Sequence, residues 1–414
     1  MNGSAQFAAS PVDRNGVDRV VHVSCDFPDP IDPGKTPVIR TLLELTQDQF
    51  AHRVLSYNRR SPGTAGSNAA PIAFDWGEAR VYTAPPYGIL HAAMLHRLGE
   101  RIARELAAAP PALLVGHKLT IEGLAVARAA RLLGVPYAIT IQGNSDTKIL
   151  AMRPDLRREF ARVFHGAAAV FAFAPWALDR VISRLGVRAG PTILIPCPTD
   201  LDTPLAPLSA GQGLLSAFHL RHQRNKNLAG IAAALRQLRK AGTEVPFTLV
   251  GGGASVDVAQ ARKKLSGISG AYVSGAVDRT GLRSAMNSAV GFVLPSHRET
   301  FGLVFIEALF AGIPVIYPAD RAIAGHFDGA PFAIPVDPRD TAALAAAMAR
   351  LVNEEAALKQ ALAGWQQSEH ARQFMRPQIA ARFAAGLREA ITHGDSQMMR
   401  MFADVSERPL GSEA

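Results

Sequence analysis

Short apolar runs alternate along this chain with longer segments whose apolar residues recur at helical spacing. Arg19–Ser24 is followed by a loop rich in Pro and Gly, and then by Val38–Phe50, which has one apolar side. This alternation is typical of parallel α/β folds, in which a helix returns the chain to the start of the next strand. The other strands and helices predicted in the first half are Arg53–Ser56, Gly88–Ala108, Ala112–Val115, Ile121–Leu133, Tyr137–Ile141, Ala169–Phe173, Pro175–Leu185 and Thr192–Ile195.

The second half repeats the alternation. Its predicted elements are Gly213–Phe218, Asn227–Ala241, Phe247–Val250, Val256–Leu265, Ala271–Val273, Thr280–Asn287, Gly291–Leu294, Gly302–Ala311, Val315–Ile316 and Thr341–Asn353. Between the halves, Pro196–Gly213 has the composition of a linker. We therefore predict two doubly wound α/β domains, residues 1–200 and 201–370. A helical segment, 371–395, is expected to pack back on the first domain, and a flexible tail, 396–414, to follow it.

Composition excludes several classes of protein. The chain has 414 residues, of which 48% are hydrophobic and 19% charged, so it is neither disordered nor fibrous. It has no apolar run long enough to span a bilayer and no signal-peptide pattern, and its two cysteines cannot form a disulfide framework. These features favour the cytoplasm.

The formal net charge of +9 is spread along the chain. Lys148–Arg162 is the densest basic stretch, and its simplest interpretation is a solvated helix face. The alternative is a surface for an anionic membrane or an anionic acceptor, to which Gly88–Ala108 would also contribute. Because no basic motif is interleaved with aromatic residues, nucleic acid is not expected as a partner.

The segment Gly291–Ile316 carries the strongest chemical signal. An apolar strand leads through a short polar loop to a helix that begins near Gly302. The free N–H groups at Gly302, Leu303 and Val304, together with the helix dipole, predict a site for an anion such as a diphosphate.

Two carboxylates, Glu299 and Glu307, bracket this helix start. Glu307 lies roughly 7–8 Å along the helix from Gly302, about the distance from a diphosphate to a ribose or to the attached sugar. Carboxylates accept hydrogen bonds from vicinal hydroxyls. Glu299 could instead be an ordinary helix-start acid. Glu307 stands within an apolar run, where a carboxylate needs a partner.

These residues resemble the signature of glycosyltransferase family 4: Pro295-Ser296, Glu299–Val304, Glu307-Ala308 and Gly312–Ile316. The resemblance implies the GT-B architecture, with two Rossmann-like domains facing across a cleft, and a retaining, metal-independent transferase. It also implies that Glu299 contacts the donor sugar and Glu307 the nucleotide ribose. The diphosphate would bind at Gly302 and Leu303, beside Thr300 and Phe301.

The resemblance continues upstream in Leu214–Asn227 and Gly275–Val277. In this family an Arg and a Lys about five residues later clamp the donor diphosphate, and Arg221 and Lys226 fit that spacing. His219 could take the place of Arg221, because the usual Gly-Arg-Leu is Phe-His-Leu here. Surface cations in a loop are the plainer interpretation. Val277 lies in a loop that resembles the one meeting the nucleotide base.

The first half resembles the family less closely. Gly34 lies where the family has a glycine-rich loop; it is not a P-loop, because position 29 is Asp rather than Gly. His117 resembles a histidine near the reacting sugar, although a strand-end histidine bound to backbone is the alternative. The family's later His-Gly is Gln142-Gly143 here, so Gln142 or Asn144 becomes a candidate for the acceptor side.

The resemblance implies transfer of a sugar from a nucleotide-diphosphate donor, with UDP favoured, to a hydroxyl of a sugar or lipid-linked sugar. Lys226, Arg221 and the helix start would stabilise the charge that develops on the leaving phosphate. No Asp-x-Asp lies in a plausible metal-binding loop and no ligand cluster at metal spacing occurs, so neither a metal nor another cofactor is expected. The alternatives are a non-catalytic subunit of a polysaccharide assembly complex, or an epimerase or phosphorylase of the same architecture.

Overall fold

The computed structural model describes residues 16–63, 70–85 and 88–406. The chain forms two compact units. The first contains the residues up to Phe173, then Ala177–Ile195 and the chain from Ala380 onward. The second contains Ala174–Trp176 and Pro196–Ile379.

The first unit is built on an eight-stranded sheet in the order β3-β4-β2-β1-β5-β6-β7-β8. Every neighbouring pair is parallel except the antiparallel pair β3 and β4. The strands are β1 (Arg19–Ser24), β2 (Ala51–Arg60), β3 (Ile72–Phe74), β4 (Gly77–Thr83), β5 (Leu113–Gly116), β6 (Tyr137–Ile141), β7 (Ala169–Ala172) and β8 (Thr192–Leu194).

Helices connect the parallel strands of this unit. They are α1 (Val38–Glu44), α2 (His91–Leu106), α3 (Glu122–Leu133), α4 (Asn144–Met152), α5 (Arg157–Gly166) and α6 (Pro175–Leu185). The central strands β1, β5 and β7 are buried almost throughout, because helices cover a parallel sheet on both faces.

The second unit has a six-stranded sheet in the order β11-β10-β9-β12-β13-β14, with all neighbours parallel. Its strands are β9 (Leu214–Ala217), β10 (Phe247–Val250), β11 (Ala271–Gly275), β12 (Gly291–Val293), β13 (Val315–Pro318) and β14 (Ala333–Val336). Its helices are α7 (Leu228–Lys240), α8 (Ser255–Leu265), α9 (Arg279–Asn287), α10 (Leu303–Phe310), α11 (Thr341–Asn353), α12 (Glu355–Gln366) and α13 (Glu369–Arg372). The last helix, α14, spans Arg376–Ser406 and begins in this unit.

The predicted α/β fold with two doubly wound sheets is confirmed, and several element bounds differ from the prediction. The hairpin β3–β4 and strand β14 were missed, and helices α4 and α5 were indicated only by the interpretation of Lys148–Arg162 as a helix face. Helix α1 ends at Glu44 rather than Phe50, where the Thr46 hydroxyl donates to the Leu42 carbonyl. A side chain of this kind, bonded to backbone near a helix end, competes with continuation of the helix.

Helix α14 also differs from its prediction, because it runs on through residues predicted to form the tail from 396. Within the first unit, Phe383 packs edge-on against Phe171 with ring centroids 5.2 Å apart. Gly394 lies so close to Pro136 that an added Cβ would stand 2.1 Å from the proline Cβ. Residues 407–414 lie outside the described residues.

Candidate functional site

The start of α10 is shaped by Gly302. This glycine has φ +74°, in the left-handed region, and its backbone carbonyl accepts a hydrogen bond from Phe305 at 2.9 Å. A Cβ at Gly302 would lie 2.6 Å from the Phe305 ring and 3.1 Å from Cγ of Glu299. Only glycine fits, and the first N–H groups of α10 stand at the carboxyl edge of the sheet, where they can bind an anion.

Lys226 and Glu299 form an ion pair beside this helix start. The Lys226 ammonium donates to Oε2 of Glu299, and the Ser296 hydroxyl donates to the same oxygen at 3.3 Å. The two side chains are 19% and 14% exposed, so the pair is largely shielded from solvent. The two residues predicted to hold the diphosphate and the donor sugar therefore bind each other here.

Two hydrogen bonds hold the 219–227 loop against the 295–302 loop. The Asn225 side chain donates to the Arg298 carbonyl at 3.0 Å, and the His297 N–H donates to the Asn225 carbonyl at 2.8 Å. Asn227 has φ +58° and accepts from the Gly230 N–H at 3.1 Å as the N-cap of α7. This cap fixes where Lys226 stands relative to α10.

Arg221 lies in a 3₁₀ turn, Leu220–His222, and is exposed. Its Nε donates to Nε2 of His222 at 3.0 Å, while its backbone N–H donates to Nδ1 of His219 at 3.3 Å. Burial lowers the pKa of His222, and the charges of Arg221, His219 and Lys226 lower it further. His222 thus stands in the cationic group of this loop. His222 was not among the residues predicted from the sequence. Its position among His219, Arg221 and Lys226 could have indicated that it belongs to this cationic group.

Glu307 has the partner that its apolar surroundings require. The hydroxyl of Thr199, a residue of the linker, donates to Oε1 of Glu307 at 2.7 Å. Burial raises the pKa of Glu307, while the Thr199 hydrogen bond and the charge of Arg279 act in the opposite direction. Asp200 forms ion pairs with Arg279 and Arg376. The sequence did not single out Thr199.

The other residues predicted near the donor contribute differently. Phe301 is 3% exposed and packs against His326, so only its backbone can meet a ligand. The Thr300 carbonyl accepts from the indole of Trp176 at 3.1 Å. Val277 is 46% exposed, in the loop after β11. Its exposed apolar surface is available to a flat ligand group.

The loop that carries Gly34 is held by Asp29. The Asp29 carboxylate accepts from Lys35 at 2.7 Å, Ser56 at 2.5 Å and Asn58 at 2.9 Å. Burial alone would raise the pKa of Asp29, but these hydrogen bonds lower it to about 2. Lys35 is therefore used within the loop, and Gly34 stands exposed at its tip.

His117 is the end of a hydrogen-bonded chain of histidines. Its Nε2 lies 3.0 Å from Nδ1 of His22, Nε2 of His22 lies 2.9 Å from Nδ1 of His52, and Nε2 of His52 lies 2.9 Å from the Thr46 hydroxyl. That hydroxyl donates to the Leu42 carbonyl, so it must accept from His52. Each neutral ring in turn then donates through Nε2 and accepts through Nδ1.

This assignment leaves Nδ1 of His117 as an acceptor. The atom is buried and has no partner among the described residues. Burial lowers the pKa of all three rings, to about 4 for His52 and about 3 for His117, so all are neutral at pH 7. The sequence suggested His117 alone, because His22 and His52 join it only through pairing of β1 with its neighbours.

Gln142 supports His117, since its side-chain amide donates to the His117 carbonyl at 3.3 Å. Asn144 is the first residue of α4 and is half-buried. Glu122, which the sequence did not indicate, accepts from the Cys25 N–H at 2.7 Å, and burial raises its pKa to about 7. Its neighbour Lys118 pairs with Asp26 at 2.5 Å.

Within the described residues, no group of three or more His, Cys, Asp or Glu side chains is arranged to hold a metal ion. None of the helices described is both long and apolar enough to cross a membrane.

Two family models match the chain. "Glycosyl transferase 4-like domain" matches residues 12–198, and "Glycosyl transferases group 1" matches residues 213–354. Glycogen synthase of Mycobacterium tuberculosis is 33% identical over 139 residues, which are 33% of this chain and 33% of that protein. The match thus spans only about a third of that relative.

Solved structures resemble at least nine tenths of the chain. Sucrose-phosphate synthase from Thermosynechococcus elongatus has a TM-score of 0.58 and 21% identity, covering 94% of this chain and 100% of that one. The Anabaena protein HepE, in complex with UDP and glucose, has a TM-score of 0.58 and 15% identity. That match covers 90% of this chain and 99% of HepE.

Two doubly wound units, the second with a helix that begins at Gly302 beside a Lys–Glu pair, define a protein of the GT-B fold. Together the two family models match most of the chain, in the order in which the units follow each other. The chain belongs to the GT4-type glycosyltransferases, as the resemblance of Glu299–Val304 and Glu307 predicted.

Proposed function

We propose that the chain transfers a sugar from a nucleotide-diphosphate donor to a hydroxyl of a sugar or lipid-linked sugar acceptor. The observation that carries the proposal is the Lys226–Glu299 pair beside the Gly302 helix start, with Glu307 held by Thr199 one helix turn beyond. The cation and the helix start suit a diphosphate, and the two carboxylates suit the hydroxyls on either side of it.

Donor binding exchanges one partner of Lys226 for another. The diphosphate carries more charge than Glu299, so it competes for the ammonium and releases the carboxylate. Glu299 then accepts hydrogen bonds from the donor sugar, and Glu307 from the ribose. As the glycosidic bond breaks, charge grows on the β-phosphate, and Lys226, Arg221 and the start of α10 would stabilise it.

The finer features of the reaction belong to this proposal. UDP is the favoured nucleotide, and HepE, a GT-B neighbour, was solved with UDP and glucose. Retention of the anomeric configuration follows the family resemblance, as does a role in polysaccharide or glycoconjugate synthesis. Lys226 and the helix start supply the positive charge, so no metal is required.

The cytoplasm is proposed as the site of action, because Cys25 and Cys197 are both free thiols. Peripheral contact with the inner face of the membrane is proposed through the exposed side chains of Ile89, Leu90 and Met152, near Lys148.

Thermal unfolding with UDP, GDP and ADP, each with and without EDTA, tests the donor site. One nucleotide should raise the midpoint by several degrees, unchanged by EDTA, because a ligand that binds only the folded state stabilises it. Lys226→Ala and Glu307→Ala should abolish the shift, whereas Lys263→Ala, an exposed lysine of α8, should keep it.

Turnover is then measured with the matching nucleotide sugar, and NMR of the product identifies its anomer. No shift with any nucleotide would contradict the proposal. Binding without turnover against any acceptor would favour the non-catalytic subunit, and an inverted product would contradict retention.

A further inference from the structure

Two adjoining cavities lie at the carboxyl edge of the first unit's sheet. The larger, here the apolar cavity, has a volume of about 460 Å³ and is lined by Ile89, Met94, Ile149 and Met152 among others. The smaller, here the basic cavity, has about 340 Å³ and includes Arg60. Arg59, Tyr82 and Ile121 line both, so the two cavities adjoin each other.

The cavities stand where open parallel sheets bind ligands. Arg59 and Arg60 end β2, and Tyr82 is the second-last residue of β4. Ser145 and Lys148 belong to α4, which follows β6. Loops at the carboxyl ends of parallel strands meet at one edge, the usual position of a ligand site in this architecture.

Apolar side chains are left exposed around the larger cavity. Ile89 is 58% exposed and Met152 66%, and both line it, while Leu90 beside them is 65% exposed. Leu90 has φ +56°, a strained backbone conformation for a leucine of a kind that is often found at functional sites. These clustered exposed apolar residues, together with the half-buried Met94 that also lines the cavity, suit an apolar chain, to which the two flexible methionine side chains can adapt.

The charge along both cavities is positive. Arg59, Arg60 and Lys148 line them, and Lys148 and Arg60 form no ion pair with any residue in the described part of the chain. Arg153 is engaged by Asp155 at 2.6 Å. Asp32 is the one acidic residue among the described lining residues. A ligand that fits this lining carries an anionic group next to its apolar chain.

We propose that these cavities bind an anionic amphiphile, of the class of long-chain alcohol phosphates. Its apolar chain lies against Ile89, Ile149 and Met152, and its phosphate lies between Arg59 and Lys148. That a sugar attached to the phosphate of such a molecule carries the acceptor hydroxyl rests on the proposed function, whereas the binding itself does not. A soluble phosphosugar would leave the apolar cavity empty, and a neutral lipid would leave the cations unpaired.

The test compares three probes by isothermal titration of the full chain at 0.1 M salt, below their micellar concentrations. Decyl phosphate has both features, decyl maltoside has the same chain with a neutral head, and glucose 6-phosphate has the anion without the chain. Decyl phosphate should bind at least tenfold more tightly than either of the others.

Two substitutions separate the contributions of charge and chain. Lys148→Glu should weaken decyl phosphate at least tenfold and change decyl maltoside less than twofold. Met152→Asn, at an exposed position that does not endanger folding, should weaken both. Lys263→Glu on α8 makes the same charge change elsewhere and should alter neither.

Equal affinity for decyl phosphate and decyl maltoside would overturn the inference, as would equal effects of Lys148→Glu and Lys263→Glu. Binding to vesicles of anionic phospholipid without binding of monomeric decyl phosphate would also overturn it, since a surface and not a molecule would then be recognised. The nucleotide shift is measured on the same samples. If a nucleotide shifts the unfolding midpoint but decyl phosphate does not bind, this inference alone is contradicted. If decyl phosphate binds but no nucleotide shifts the midpoint, the proposed function alone is contradicted.

Discussion

Replacing His22 with leucine should destabilise the first unit by breaking the histidine chain at its centre. The substitution removes the acceptor for the Nε2–H of His117 at 3.0 Å and the donor to Nδ1 of His52 at 2.9 Å. Leucine fills a similar volume, so the main effect is the loss of hydrogen bonds rather than a cavity.

The size of the effect follows from the burial of the two groups left behind. A buried polar group without a partner costs about 1–3 kcal/mol. His117 is 0% exposed and bears that full cost, whereas His52 is half-buried and can find water. The free energy of unfolding of the first unit should therefore fall by about 2–4 kcal/mol at pH 7.

Urea-dependent hydrogen exchange of peptides from β1 and β5 measures this change, because the two units need not unfold together. The matched experiment is a cycle with His117→Phe. The double variant removes both partners of one bond, so it should cost at least about 1 kcal/mol less than the sum of the single variants. If the cost of the double variant equalled the sum of the two single costs within about 0.5 kcal/mol, the histidines would not act as one hydrogen-bonded unit, and this prediction would be refuted.

Three further outcomes are expected. Because the pKa of His52 is lowered to about 4 and that of His117 to about 3, the unfolded chain binds more protons below pH 6.5. The free energy of unfolding of the first unit should therefore fall by up to about 1.4 kcal/mol per histidine for each unit that the pH drops between about 6.5 and 4. The buried glutamate of α3 partly offsets this loss, because its raised pKa makes the folded chain bind a proton in the same range. Urea midpoints at pH 7 and 5.5 measure the change. Glu307→Gln keeps an acceptor for the linker threonine but loses its charge, so titration should show nucleotide affinity reduced about tenfold or more with the melting temperature unchanged. Gly302→Ala places a Cβ 2.6 Å from a ring and should unfold the second unit at several degrees lower temperature, whereas Gly364→Ala in α12, with nothing within 4 Å, should be neutral or stabilising.

The doubly wound sheets were predictable because the spacing of apolar residues within each short segment indicates a strand or a helix. Buried parallel strands are short apolar runs, and the start of α10 follows from Gly302 and the polar loop before it. The hairpin β3–β4 was missed because Ile72–Phe74 is only three residues long and largely exposed, so it lacks the apolar run of a buried strand. The helix was predicted to end near residue 395 because Gly394 weakens a helix locally, whereas the packing of Gly394 on Pro136 is not visible in the sequence.

Part of the candidate site could also be predicted from the sequence, and part of it could not. The types and spacing of Glu299, Glu307 and Lys226 were evident from the sequence, and so was the need of Glu307 for a partner. The identity of that partner was not, because Thr199 lies 108 positions away along the chain.

Local preferences of a few residues determined the alternation of strands and helices, the linker and the glycine-dependent helix start. Only the tertiary structure decided that Lys226 meets Glu299, 73 positions away, and that His22 meets His117, 95 positions away. Such pairs depend on the order of strands in each sheet, because strand order determines which loops share the carboxyl edge and which side chains share a face. No local pattern encodes that order.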